Sequence, residues 1–374
     1  MKVAVQITRV FVGLLFIFSG LVKANDPMGL SYKMQEFFEI WGLHSLNDWS
    51  LLLSVLMNAF EIIAGIALLL GWRIRLFIWL LLLLIVFFTF LTGYTYITGT
   101  PKNCGCFGDC LPISSKTSFL KDLLLTILIG FLFWKQNLIK PILKEKWLFG
   151  LMLIATILSF GFQWYTLKYL PVVDCLPFKK GNNISEKMKM PANAIPDSTV
   201  ITFVYKKDGK DIEFTADQFP ADFNADTYKF VSRYDKLIRK GKNNEPPIKG
   251  FVLSGDSNTD STAFVLEQPR AVLLFIENFK KAGNAWKKGF AKIAAKARER
   301  QIPVFIITAE PAKAVVEIAG TGFAGSQVFK CDYKVIETAS RAPVTAYVIE
   351  KGMVKGKWSS PDFSSAATYI SKLP

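Results

Sequence analysis

Histidine is almost missing from this chain, which has one, His44, among its 374 residues. No Cys-x-x-Cys-His occurs, and this excludes covalent haem on its usual attachment pattern. No phosphate-cradling glycine loop, catalytic-triad signature or zinc-hydrolase motif occurs, nor any inverted repeat of the kind that builds transporters. Acidic residues are outnumbered, 30 against 45 Lys and Arg. A charge of +15 raises nucleic acid as a partner, but the cations are mixed with acids and gather in short loops between apolar runs. That distribution fits a membrane-flanking role, with the lipid bilayer and no nucleic acid as partner.

What the chain has in excess is apolar residue, 51% with a mean hydropathy of +0.30, too apolar for a soluble protein of this size. The excess sits in the first half. Five runs approach the roughly 20 apolar residues that a bilayer core requires: 3–22, 49–70, 76–97, 119–134 and 147–170. Each satisfies its backbone internally as a helix. Lys2, Arg9 and Val22-Lys23-Ala24 also resemble a secretory signal, but the spans that follow favour a retained first helix. Lys2 and Arg9, Arg73 and Arg75, and Lys135, Lys140, Lys144 and Lys146 then share one side in short loops, which makes that side cytoplasmic. The expectation is a multi-pass protein of the bacterial inner (cytoplasmic) membrane, with its N-terminus cytoplasmic and its C-terminal domain periplasmic.

Cys104, Cys106, Cys110 and Cys175 all fall on that outer side, where clustered thiols form disulfides or exchange partners. Three readings stand. A structural staple joins Cys106 or Cys110 to Cys175; an exchange site uses a thiolate stabilised by Lys102, Lys116 or a nearby helix start; a soft metal sits among the thiolates. Ligand partners for a metal are scarce, so none is assigned, and no cofactor is assigned either. Gly105 and Gly108 give the backbone room to turn between the cysteines. Inside the second span Glu61 is the clearest intramembrane charge, with Asn58 and Gly65 one turn away on the same face. It is either a packing residue or a group that handles protons or substrate. Lys23 and Asp26 bracket the exit of the first span, where snorkelling or a local ion pair accounts for them.

The motif Asn103-Cys104-Gly105-Cys106-Phe107-Gly108-Asp109-Cys110 resembles the DoxX/MauE group of small multi-helix membrane proteins. Residues 13–23 (GLLFIFSGLVK), Asp26-Pro27-Met28-Gly29 and Phe87-Phe88-Thr89-Phe90-Leu91-Thr92 add to the likeness. It implies a four-helix membrane core and a part in disulfide maturation of exported proteins. Similar four-helix proteins of the vitamin K epoxide reductase type pass electrons between protein thiols and quinone. This chain departs from them in having no Cys-x-x-Cys at a helix start.

After residue 171 the composition turns soluble. Residues 200–205 and 212–214 flank Lys207-Asp208-Gly209-Lys210 as a hairpin, and 222–242 reads as a surface helix or loop. From residue 270 strands alternate with helices: 271–277, 303–308 and the hairpin 344–349 with 353–358 as strands, and 282–300, 311–319 and 362–373 as helices. This order resembles the thioredoxin fold, which implies a cis-proline at Pro343. That fold keeps its Cys-x-x-Cys just after the first of these strands, but residues 278–283 hold no cysteine, so this domain cannot run dithiol chemistry alone. Cys331 reads as a buried, inert thiol. The basic helix, with Lys280, Lys281, Lys287, Lys288, Lys292 and Lys296, faces solvent, anionic headgroups or an acidic partner.

The fold class expected is an α-helical transmembrane bundle followed by a soluble α/β thioredoxin-like domain. Its parts are a four-helix DoxX/MauE-like domain at 1–138, a fifth transmembrane helix at 139–170, a stem and β-rich connection at 171–250, and the thioredoxin-like domain at 251–374. The function expected is thiol-disulfide redox work on the periplasmic side through Cys104, Cys106, Cys110 and Cys175, with an exported thiol protein or quinone as partner. The alternative is a scaffold whose redox-inactive domain binds a partner.

Overall fold

The computed structural model describes residues 1–101, 105, 108–239, 241, 243–255 and 259–374. Its helical part is built from α1 (Lys2–Asn25), α2 (Pro27–Ile40), α3 (Ser50–Leu70), α4 (Ile74–Thr98), α5 (Ser115–Trp134) and α6 (Glu145–Tyr169). Among the described residues five helices are long and apolar enough to cross a membrane: α1, α3 with the turn before it, α4, α5 and α6. The protein is a multi-pass membrane protein. The expected spans 3–22, 49–70, 76–97, 119–134 and 147–170 fall on these helices with ends shifted by a few residues.

Glycine sets the closest approach in the bundle. A Cβ added to Gly65 on α3 stands 2.7 Å from the Gly13 carbonyl oxygen on α1, and one on Gly20 meets Ile62 at 2.7 Å. Small residues let two helices touch backbone to backbone in lipid. At one end of this pair Arg9 is buried within the span rather than lying in a loop, and its Nε donates to the Leu68 carbonyl at 2.7 Å. It thereby occupies an acceptor at the C-terminus of α3. At the other end α1 stops at Asp26, whose side chain accepts from the Gly29 N–H at 3.0 Å and caps α2, with Pro27 at the first helical position. α2 falls between the first two spans expected from the sequence. Lys33, Gln35, Glu36 and Glu39 make it too polar for a span, and it is shorter than one.

Residues Met1–Asn182 and Val252–Pro374 form one compact unit, and Asn183–Phe251 forms a second. The second unit holds α7 (Ile184–Lys187) and an antiparallel sheet of order β2-β1-β3, from β1 (Ser198–Lys207), β2 (Lys210–Thr215) and β3 (Lys229–Arg239). Asp208 and Gly209 both take positive φ, as a two-residue hairpin demands. Tyr205, Phe214, Phe219, Phe223 and Tyr228 form an aromatic cluster on this sheet, mostly edge to face. The stretch 222–242, read from sequence as helix or loop, supplies β3 instead. Its charges obscure the β-formers Phe230, Val231, Tyr234, Leu237 and Ile238, which lie on an exposed strand paired with β1. Within this unit the Ile248 N–H donates to the Lys187 carbonyl at 2.9 Å, drawing its two ends together.

The rest of the first unit is an α/β region: α8 (Thr262–Leu266), β4 (Ala271–Ile276), α9 (Phe279–Ala282), α10 (Ala285–Glu299), β5 (Val304–Thr308), α11 (Pro311–Ile318), β6 (Gln327–Lys330), α12 (Tyr333–Ser340), β7 (Val344–Glu350), β8 (Met353–Ser359) and α13 (Phe363–Ser371). The sheet order is β6-β5-β4-β7-β8. β4, β5 and β6 run parallel, while β7 opposes β4 and β8 opposes β7. Central β4 is buried along its whole length, which is why it reads as an unbroken apolar run. Val272, Leu274 and Ile276 pack with Trp286, Phe290 and Phe363 from α10 and α13. The cis-proline expected at Pro343 is not there; the cis bond found among the described residues precedes Pro101. Before β7 the chain turns through Arg341 in the left-handed region, φ 51°, and the Pro343 carbonyl accepts from the Glu277 N–H.

Candidate functional site

The close packing of α1 on α3 sets Lys23 directly on Glu61. The two side chains form an ion pair that is 2% and 1% exposed. The Lys23 ammonium also stands 5.0 Å from the centre of the Phe88 ring. Glu61 Oε2 is buried with no hydrogen-bond partner among the described residues. This pair lies on the wall of a cavity of about 270 Å³ within the bundle, walled mainly by apolar side chains such as Phe16, Phe37, Met57 and Leu91. α4 and α5 contribute a second polar group, in which the Thr92 hydroxyl donates to Asp122 at 3.1 Å and Lys121 pairs with Asp122 at 2.6 Å. Asn58, on the Glu61 face, donates to Gln163 of α6 at 3.2 Å. The cavity-lining residues come from the C-terminal half of α1, from α2, from 53–61 of α3, 85–92 of α4 and 121–125 of α5, and from Trp41, Leu46 and Gly105 in the connections. All of these lie toward the end of the bundle that carries the cysteine loop.

Of the four predicted site cysteines, Cys104 and Cys106 lie outside the described residues. Cys110 and Cys175 are joined in a disulfide with Cα atoms 4.9 Å apart, closing a sequence separation of 65. Gly105 is described and lines the cavity. Its φ of 69° and that of Gly108, 59°, are the turn that glycine makes without strain. A Cβ at Gly105 meets the Lys33 stem at 2.9 Å, and the Lys33 ammonium pairs with Glu36 at 3.0 Å. Cys331 is free and buried, and burial pushes its thiol up to about 12. His44 begins an exposed 3-10 turn. Among the described residues no group of three His, Cys, Asp or Glu side chains is placed to hold a metal ion.

A second cluster joins the helical and α/β parts of the first unit. Arg341 pairs with Asp26 at 2.9 Å and with Asp109, the neighbour of Cys110, and its guanidinium lies 5.3 Å from the Tyr32 ring centre. Lys357 pairs with Asp174, the neighbour of Cys175, at 3.0 Å. Each cysteine of the disulfide thus has beside it a carboxylate held by a buried cation from the α/β region. Burial alone would lower the Arg341 pKa, but Asp26 and Asp109 outweigh it and hold it raised. Burial likewise lowers Lys357, against the pull of Asp174, and raises Asp26, against that of Arg341. At the end of β4 Glu277 accepts from the Tyr32 hydroxyl at 3.0 Å and the Tyr333 hydroxyl at 3.3 Å, and pairs with Lys281 at 3.1 Å. Burial first, and then Glu277, push the neighbouring Glu337 carboxyl up to about 7. The sequence alone singles out neither Arg341 nor this cluster. One signal was available, a carboxylate closing six consecutive apolar residues at the end of β4.

Residues 1–135 match the family described as Methylamine utilisation protein MauE. The N-terminal third matches MauE. The MauE-like stretch contains α1 to α5, the cavity, and the loop with Cys104, Cys106 and Cys110, whereas Cys175 and the α/β region lie beyond it. Residues 194–240, which include β1 to β3, match a Domain of unknown function (DUF8463). No curated protein and no solved structure matches the chain.

Proposed function

We propose that this protein is a thiol-disulfide redox component of a bacterial inner membrane, working on the periplasmic side for exported proteins. The observation that carries the reading is the sorting of its cysteines: Cys110 and Cys175 are bonded to each other, while Gly105, between Cys104 and Cys106 in the sequence, lines the bundle cavity. The Cys110–Cys175 bridge serves as the staple, and Cys104 and Cys106 are the exchanging pair. The Lys33 stem lies against Gly105, with its ammonium paired to Glu36 at 3.0 Å. The N-terminus lies in the cytoplasm, by the basic short loops.

The α/β region is thioredoxin-like in its run of β4, α10, β5, β7, β8 and α13. It works by docking. At the end of β4, where a thioredoxin keeps its cysteines, Glu277 meets Tyr32 instead, and Arg341 meets Asp26 and Asp109. That cysteine-free face also favours a second reading, a non-catalytic scaffold in which all the thiols are inert. Maleimide trapping in intact cells, before and after mild reductant, separates the two readings. Cys104 and Cys106 are expected to cycle, and Cys104→Ser to accumulate a mixed disulfide with an exported protein through Cys106. Thiols that remain fixed in both conditions, with no mixed disulfide in either single variant, overturn the redox reading in favour of the scaffold.

A further inference from the structure

We infer that the outer edge of β3 takes up an extended, acid-bearing segment of a partner protein as an added strand. β3 is the longest strand of the second unit, 11 residues from Lys229 to Arg239, and it stands at the edge of the order β2-β1-β3. Its inner edge pairs with β1, and residues 232–237 run there in unbroken register against 199–204. An antiparallel strand directs the N–H and C=O of alternate residues to opposite sides, so roughly half of the backbone groups of β3 face outward. Among the described residues no backbone hydrogen bond reaches that outer edge. Both edges of the five-stranded sheet, by contrast, meet other parts of the chain. Beside β6, Ser254 and Lys330 exchange hydrogen bonds of 3.0 and 2.8 Å; beside β8, the Val354 N–H donates to the Asn182 carbonyl at 2.9 Å and the Val354 carbonyl accepts from Gly181 at 2.8 Å. Uncovered edges invite pairing.

The side chains of β3 select the occupant. Lys229, Arg233, Lys236 and Arg239 outnumber Asp235 on this strand. The ion pairs of the unit join Lys207 to Asp222 and Lys249 to Glu245, and among the described residues they leave these four cations unpaired. Arg233 and Lys236 are three positions apart in the regular stretch and so project from opposite faces. A second copy of the strand brings the same excess of cations, which disfavours self-pairing. A strand with acids on both faces is favoured by the same charges. Phe230, Val231, Leu237 and Ile238 are half-exposed and offer apolar contact to its remaining residues. In strand addition of this kind main-chain bonds supply affinity and side chains supply specificity.

Capture at β3 uses neither the thiols nor the bundle, so it goes beyond the redox function and does not depend on it. A fluorescein-labelled peptide of Val and Thr with Glu at every third position, titrated onto the full chain in phosphatidylcholine nanodiscs and read by anisotropy, tests it. Saturable binding is expected. The same peptide N-methylated at alternate residues keeps its charge but cannot complete the ladder, and should bind about tenfold more weakly, the scale of losing one or two net hydrogen bonds. Arg233→Glu/Lys236→Glu changes exposed side chains and should reverse the preference, weakening the Glu peptide about tenfold and admitting its Lys counterpart. Equal binding of the methylated and parent peptides means a basic patch only, and overturns the added strand without recourse to any variant. Binding that the charge reversal leaves unchanged lies elsewhere and overturns it too. A signal that never saturates has the same meaning. So does a chain that sediments as a dimer and is dissociated by the charge reversal, because the edge then belongs to a second copy.

Discussion

Two of the buried charge clusters of the first unit differ in how many partners each cation has. Arg341 is surrounded: two carboxylates, the Tyr32 ring and the Glu337 carbonyl all meet one guanidinium. Lys23 and Glu61 have fewer charged partners among the described residues, each other alone, and they stand beside a mainly apolar cavity. A charge with several partners fixes one arrangement of the chain. Burial is common to both clusters; what differs is the number of charged and aromatic partners each cation has among the described residues.

The largest expected effect removes the hub of the Arg341 cluster. Arg341→Met leaves Asp26 and Asp109 without their shared cation, and loss of one partner from a buried pair costs about 3–5 kcal/mol. Denaturant unfolding of the full chain should show that loss, with protease cuts appearing between the helical and α/β parts of the first unit. A variant as stable as the parent would mean that the cluster does not hold those parts together. Next in size is a pH effect at Glu337. Its folded-state carboxyl titrates near 7 against an ordinary 4.5, so between those values the folded state holds more protons than the unfolded state. Stability then falls as pH rises from about 4.5 to 7 and is level beyond, a drop on the order of 3 kcal/mol. Glu337→Gln should flatten that slope, and an unchanged slope would assign it to another group.

The smallest effect belongs to the Lys23–Glu61 pair. Lys23→Met/Glu61→Leu replaces a poorly supported ion pair by apolar side chains, a change that is often neutral, so unfolding should shift by about 1 kcal/mol or less. Lys23→Met alone should cost several times more. Equal losses in the single and double variants would erase the distinction between the two clusters.

The sequence makes some of this legible and hides the rest for identifiable reasons. Spans such as 76–97 and strands such as 271–277 are runs whose composition leaves few alternatives. Lys23, Asp26 and Glu61 each stand out as charges in or beside a span. Their partners do not, because pairing Lys23 with Glu61 needs the α1 and α3 register that Gly13, Gly20 and Gly65 set. Asp26 finds Arg341 from more than 300 positions away along the chain. The Cys110–Cys175 pairing was one of several that spacing allowed. β3 was missed because edge strands carry charges on both faces, and α2 because a short helix beside the membrane has neither the length of a span nor the clear stripe of a soluble helix.

The 2.9 Å bond from Ile248 to Lys187 cinches the second unit at its neck, while the polypeptide on either side of it belongs to a single body. A stretch whose ends are already drawn together can change in length at small entropic cost to the chain that flanks it, because the free energy of closing a loop grows only slowly with its length.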